Sequence, residues 1–171
     1  MSRQLMLLWI LMPACWLSAC ATQAPPPALT LGEQLDFAGL QDQYGQPFPL
    51  EQQMTLLIFT DAMAASRQVR DALRRLDPTC LESGRVIFVA DVSGMPRLIT
   101  QLIAVPKMRG YGFPIWLDYD GAATAALPVR EDQVSLLQVD GGVITGLRYV
   151  RGMEAVINAA GDACKPSVAA Q

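Results

Sequence analysis

Short apolar runs alternate with segments of helical periodicity between residues 54 and 160, and this alternation constrains the fold more than any other feature. The runs Met54–Phe59 and Arg85–Val92 are short and continuous, as in strands buried on both faces. After the first run, Thr60 or Asp61 is expected to cap a helix that Pro78 ends. The inward face of that helix is predicted at Val69, Ala72, Leu73 and Leu76. Strands joined by such helices predict a single α/β domain.

A second helix is predicted to begin at Pro96 and to be closed by Pro106. Four apolar residues recur along it at helical spacing and are assigned to the core, namely Leu98, Ile99, Leu102 and Ile103. Upstream of both helices, two short edge strands at 37–40 and 47–50 are expected, joined by a turn at Gly45. The later elements are expected as a strand Phe113–Leu117, a turn Asp118–Gly121, a helical turn Ala122–Leu127, strands Val134–Val139 and Val143–Val150, and a helix Met153–Ala160 capped by Gly161.

Charge and composition exclude several classes of function. The chain of 171 residues has 13 Lys and Arg against 16 Asp and Glu, without a basic run, so nucleic acid is not an expected partner. Histidine is absent, which removes Ser-His-Asp and Cys-His catalysis as well as imidazole metal sites. Asp118–Gly121 starts like a calcium loop, but its glycine comes two positions too early, so a turn is the better interpretation. Neither a metal nor a cofactor is predicted.

The N-terminus has the layout of a signal peptide. Arg3 precedes an apolar stretch from Leu5 to Leu17 that Pro13 interrupts. This stretch is too short for a transmembrane helix, which needs about 20 apolar residues. A plain secreted protein cut at an Ala-x-Ala-like site would leave Cys20 as an exposed thiol near the new terminus.

The segment Leu17-Ser18-Ala19-Cys20 resembles the lipobox of bacterial lipoproteins. The resemblance implies a signal peptide at 1–19, a lipid on the Cys20 sulfur that holds the chain to a membrane, and a Pro-rich tether at 20–34. Ala21 and Thr22 stand where an Asp would retain such a lipoprotein in the inner membrane. The expected location is therefore the outer membrane, facing the periplasm.

The domain at 35–171 resembles the redoxin branch of the thioredoxin superfamily. The resemblance rests on the order of elements, on Asp36-Phe37 with Asp42, Gly45, Phe48 and Leu50, and on the block from Phe113 to Gly121. The stretch from Asp91 to Asp140, with Ser93-Gly94-Met95 and Val129-Arg130-Glu131-Asp132, is similar to YtfJ-type periplasmic members. The resemblance to the redoxin branch implies an α/β fold, with a thioredoxin-like mixed β-sheet and helices on both of its faces.

The chain departs from this family at both of its chemical signatures. The Cys-x-x-Cys motif at the start of the first core helix is replaced by Met63-Ala64-Ala65-Ser66, which holds no sulfur nucleophile and no base for the serine. The position of the family's cis-proline falls on Gln133 or Val134, and Pro114 is interpreted as an edge-strand proline. No catalytic residue is assigned, and the resemblance implies a redox-inactive member.

Two further cysteines, Cys80 and Cys164, follow the ends of two helices that cover the same face in the thioredoxin-like fold. The resemblance thus implies a structural disulfide between them, formed in an oxidising compartment. The alternative is a redox pair that makes the protein a thiol-disulfide oxidoreductase or a peroxidase.

Thioredoxin-like proteins form a shallow groove for extended polypeptide beside the helix start. The resemblance carries this groove to Ala62, Met63, Gln133, Val134, Arg151 and Gly152. The expected partner is an envelope protein or another extended polypeptide. A vestigial surface without a ligand, or a partner on the 107–113 loop around Met108 and Tyr111, is left open as an alternative.

Overall fold

The computed structural model describes residues 26–48 and 54–165, which include one six-stranded mixed sheet. The order across the sheet is β1-β4-β3-β2-β5-β6. Strands β2, β3 and β4 run parallel to one another, whereas β1, β5 and β6 each pair antiparallel with a neighbour. The strands are β1 Gln41–Asp42, β2 Leu56–Thr60, β3 Val86–Asp91, β4 Trp116–Asp118, β5 Val134–Asp140 and β6 Val143–Val150.

The helices of the described residues lie in the connections and at the C-terminal end. They are α1 Met63–Leu73, α2 Pro78–Glu82, α3 Arg97–Ile99, a π-helical turn Thr100–Ala104, α4 Val105–Arg109 and α5 Met153–Cys164. The segments α3, the π turn and α4 are contiguous and are called the 97–109 helix below. Within residues 26–48 and 54–165, no helix is long and apolar enough to cross a membrane.

The first core lies between one face of the sheet and the helices. The crossovers from β2 through α1 to β3, and from β3 through the 97–109 helix to β4, step in the same direction across the sheet, so the right-handed rule puts both helices on one face. Val69 of α1, Val105 of the 97–109 helix and Val156 of α5 all pack into this core. The central strand β2 is buried at every position, which matches its continuous apolar sequence.

The second core lies on the other face, beneath the N-terminal segment and the turns at 122–127. Phe48 packs at a tilt against Phe37 and edge-on against Trp116 there, and Leu127 belongs to the same core. The segment predicted as a tether belongs to the domain from Leu29 on. The amide of Leu29 donates to Ala126 O at 2.6 Å, and that of Gly32 donates to Ile144 O at 2.8 Å. The predicted boundary between tether and domain at 34/35 is therefore wrong, because residues from Leu29 on are bonded to the domain.

Several predicted boundaries are corrected by the structure. Ala62 stands at the N-cap of α1 without a side-chain cap, so neither Thr60 nor Asp61 fills that role. Pro78 starts α2, with Asp77 accepting from the Thr79 amide at 2.9 Å, because proline is well tolerated in a first helical turn. Gly161 lies inside α5, Pro114 precedes the shorter strand β4, and residues 122–127 form turns.

The largest correction concerns the 97–109 helix, whose four apolar residues do not face the core. Leu98 is 70% exposed and Leu102 is 72% exposed, and Ile99 and Ile103 are also exposed. The helix instead buries Thr100 and Val105, which are five residues apart. A π turn brings residues five apart onto one face, because its hydrogen bonds run from i to i+5. It also precedes Pro106, which lies inside the helix and does not close it.

Candidate functional site at the carboxyl ends of the parallel strands

The first turn of α1 lies at the carboxyl end of β2, where thioredoxin-like proteins carry their reactive thiol. Met63 begins the helix there and its side chain is 63% exposed. The hydroxyl of Ser66 shares a hydrogen bond of 2.6 Å with that of the buried Thr60. No carboxylate or amine of the described residues hydrogen-bonds Ser66, so nothing there removes its proton. This site therefore has neither a thiol nor an activated hydroxyl.

The residues of the predicted groove meet at this same end of the sheet. Pairing of Ser135 with Phe59, and of Val134 with Val150, places 133 and 151–152 next to the start of α1. The amide of Gly152 donates to Gln68 Oε1 at 2.8 Å, which ties the start of α5 to α1. Gly152 has φ +86°, a conformation in which a side chain is strained.

Within this groove, Val134 has the wrong environment for a contact residue. It is 0% exposed and belongs to the first core, so its side chain cannot meet a partner. The exposed side chains of the groove are those of Met63 and Arg151, while Ala62 and Gln133 are half-buried. The surface that remains is small and formed mainly by Met63, Arg151 and the backbone around Gly152.

A buried carboxylate organises the neighbouring strand end. Asp118 Oδ1 accepts from the amide of Gly121 at 2.9 Å, and Oδ2 accepts from the amide and hydroxyl of Thr124 at 2.7 and 2.9 Å. Gly121 has φ +76°, and a Cβ there would approach Ser93 Oγ to 2.9 Å. The predicted turn at 118–121 is thus a closed hydrogen-bonded turn. In residues 26–48 and 54–165, no group of three or more acidic or cysteine side chains is arranged to hold a metal ion.

Two side chains of this turn, Tyr119 and Asp120, have pKa values that differ from their usual ones. A hydrogen bond from the amide of Ala122, followed by one involving Asp118, holds the pKa of Asp120 below its usual range, and the positive charge of Arg97 acts in the same direction. Partial burial raises the pKa of the Tyr119 hydroxyl. These shifts stabilise the ionised Asp120 and the neutral Tyr119, so neither is poised as a general acid or base at neutral pH.

Cys80 and Cys164 are joined in a disulfide with a Cα–Cα distance of 5.3 Å. The bridge links α2 to the last residue of α5, and the Thr55 hydroxyl donates to Ala163 O at 3.3 Å beside it. Thr55 immediately precedes β2, so the bridge lies at the amino end of that strand. Met63 follows the other end of β2, and a strand of this length separates the disulfide from Met63 by at least about 13 Å. The disulfide is therefore remote from the position of the family's thiol motif.

A polar cleft that no sequence pattern predicts lies at the β1 edge of the sheet. Buried Gln43 donates through Nε2 to Phe113 O at 2.7 Å, and its Oε1 accepts from the Ile115 amide at 2.8 Å. Arg109 Nε donates to Gln43 O at 2.9 Å. The cleft of about 460 Å³ lies between this bend and the 97–109 helix, with Arg97 and Arg109 on its wall. No motif marks it, because its walls come from segments more than 50 residues apart in sequence.

Solved structures with similar folds are found among thiol-disulfide isomerases and peroxiredoxins. A thio-disulfide isomerase of Thermus thermophilus has a TM-score of 0.51 at 23% identity, covering 79% of this chain and 97% of its own. Reduced Prx3 of Vibrio vulnificus has a TM-score of 0.52 at 16% identity, covering 78% and 99%. Peroxiredoxin Q of Xanthomonas campestris has a TM-score of 0.51 at 11% identity, covering 72% and 87%.

These likenesses, together with the strand order, define the class of the protein. It is an α/β protein with a thioredoxin-like fold, and the predicted mixed sheet is confirmed. The described helices all pack on the first core, whereas the N-terminal segment and turns cover the other face of the sheet. No protein-family model and no curated protein sequence matches the chain. The predicted signal peptide and the lipid site at Cys20 lie outside the described residues.

Proposed function

We propose that the protein is a redox-inactive, thioredoxin-like lipoprotein that binds a protein partner in the bacterial envelope. The observation that carries the proposal is the placement of sulfur. The start of α1 has Met63 and Ser66 where the redoxin motif has its thiols, and the described cysteines are paired at the opposite end of the sheet. The lipobox-like segment ending at Cys20 supports attachment to the outer membrane, with the domain in the periplasm.

The lack of redox activity is tested with insulin reduction and peroxide consumption by the purified full chain. We expect background rates from the unmodified protein. The matched positive control is Met63→Cys combined with Ser66→Cys, which places two thiols at a helix start and should raise insulin reduction. Activity of the unmodified protein that disappears in Cys80→Ala with Cys164→Ala would establish the alternative, an oxidoreductase or peroxidase using that pair.

The lipid anchor is tested separately, by fractionation and mass spectrometry. Cys20→Ala should release the protein from membrane fractions, and the unmodified protein should carry the mass of the acyl chains on a peptide beginning at Cys20. An unacylated mature protein that stays in the membrane fraction would contradict the anchor. That result would leave the assignment of the inactive thiol site intact.

A further inference from the structure

The outward face of the 97–109 helix carries the main exposed apolar stripe of the described residues. It consists of Leu98, Ile99, Leu102 and Ile103, all at least 45% exposed. The π turn determines which way this stripe faces, because it commits Thr100 and Val105 to the core. Burying four large aliphatic side chains is favourable. Such a stripe therefore indicates a surface that an apolar partner, either a protein or a lipid layer, covers.

The charged residues beside the stripe indicate which kind of partner covers it. The 97–109 helix has three cations, Arg97, Lys107 and Arg109, and the sequence contains no Asp or Glu between Asp91 and Asp118. None of these cations is in an ion pair among the described residues. The whole chain nevertheless has a net charge of −3, so positive charge is concentrated beside the stripe. A cationic helix with one apolar face is typical of helices that lie in a lipid interface.

A second copy of the chain fits this surface less well. Pairing two such helices would bring their cations together, and neither helix offers an acidic residue to pair across the contact. An anionic lipid surface has the complementary charge. The polar flank of the helix also faces the cleft of about 460 Å³, where Arg97 and Arg109 offer guanidinium groups suited to a phosphate.

The N-terminal segment limits how far the domain can lie from a membrane. Because Leu29 is hydrogen-bonded to Ala126, eight residues separate Cys20 from the domain and span about 25 Å when extended as polyproline. Leu29 and the turns at 122–127 pack on the second core, so the tether enters on the face of the sheet opposite the 97–109 helix. The tether therefore confines the domain to the membrane surface, and the charge and apolar stripe of the helix determine which face meets the lipid.

We infer that the 97–109 helix is an interfacial helix that lays its apolar stripe on the anionic phospholipid surface to which the chain is tethered. The inference rests on the proposed lipid anchor only for this proximity. It implies that the domain is oriented on the membrane, with the outward face of this helix against the lipid. The groove at Met63 and Arg151 then lies on a domain of fixed orientation.

The test is photocrosslinking of the full chain, purified from membranes and reconstituted into vesicles of phosphatidylethanolamine and phosphatidylglycerol. A benzoylphenylalanine replaces Leu102, and the matched control carries it in place of exposed Thr145 on β6. We expect a phospholipid adduct at 102 and not at 145. Its yield should fall when phosphatidylcholine replaces phosphatidylglycerol, and by about fivefold for each cation removed in Arg97→Gln and Lys107→Gln.

Two results would overturn the inference, provided that the variants keep the melting temperature of the parent. One is a crosslink at 102 that joins two protein chains. The other is a lipid adduct no stronger than at Thr145. Mass spectrometry of Cys20 in the same samples separates the two proposals. An acylated protein without an adduct at 102 refutes the interfacial helix alone, whereas an adduct on an unacylated protein refutes the anchor alone.

Discussion

Removing the Cys80–Cys164 bridge should destabilise the domain without changing any redox chemistry. The bridge closes a loop of 84 residues between α2 and the end of α5. Restricting a loop of this length in the unfolded chain is worth about 4.5 kcal/mol at 25 °C on the chain-entropy relation. For a domain of this size, that free energy corresponds to a fall of about 15 °C in the melting temperature.

The assay is thermal and urea unfolding followed by far-ultraviolet circular dichroism, in four samples. These are the unmodified protein and Cys80→Ala with Cys164→Ala, each with and without dithiothreitol. Reduction should destabilise only the unmodified protein, because the variant has no bridge to lose. A melting temperature that changes by less than about 3 °C on verified reduction would refute the structural role assigned to the bridge.

Other substitutions test the strand ends. Asp118→Ala should cost about 3 kcal/mol in urea unfolding, because it leaves the amide and hydroxyl of Thr124 and other turn amides without their acceptor, whereas exposed Asp61→Ala should cost little. Equal losses for the two would contradict the role of the buried carboxylate. Met63→Arg should weaken recovery of an envelope partner at an unchanged melting temperature, whereas Val134→Arg should cost several kcal/mol by burying a charge. A partner bound equally well by Met63→Arg would move the binding surface away from the groove.

Much of the fold was predictable because its signals are local. The span Val143–Val150 matches the observed strand, and the Gly-Gly turn before it has positive φ at both glycines. The buried strands β2 and β3 were placed from apolar runs whose length excludes a full helix. The absence of thiols at the start of α1 could also be read from the sequence alone. Packing determines where a side chain lies but does not change which residue occupies a position.

The tertiary structure alone decided which residues face outward. Helical spacing shows that Leu98 and Leu102 share a face, but the neighbouring elements determine whether that face meets the core. Here Val105 packs into the first core and Thr100 is buried, and the π turn places the apolar stripe at the surface. Val134 shows the converse, since this residue beside the expected groove is buried because its face of β5 packs in the first core with α1 and α5. Periodicity in a sequence determines relative orientation within an element, whereas burial depends on contacts with residues distant in the chain.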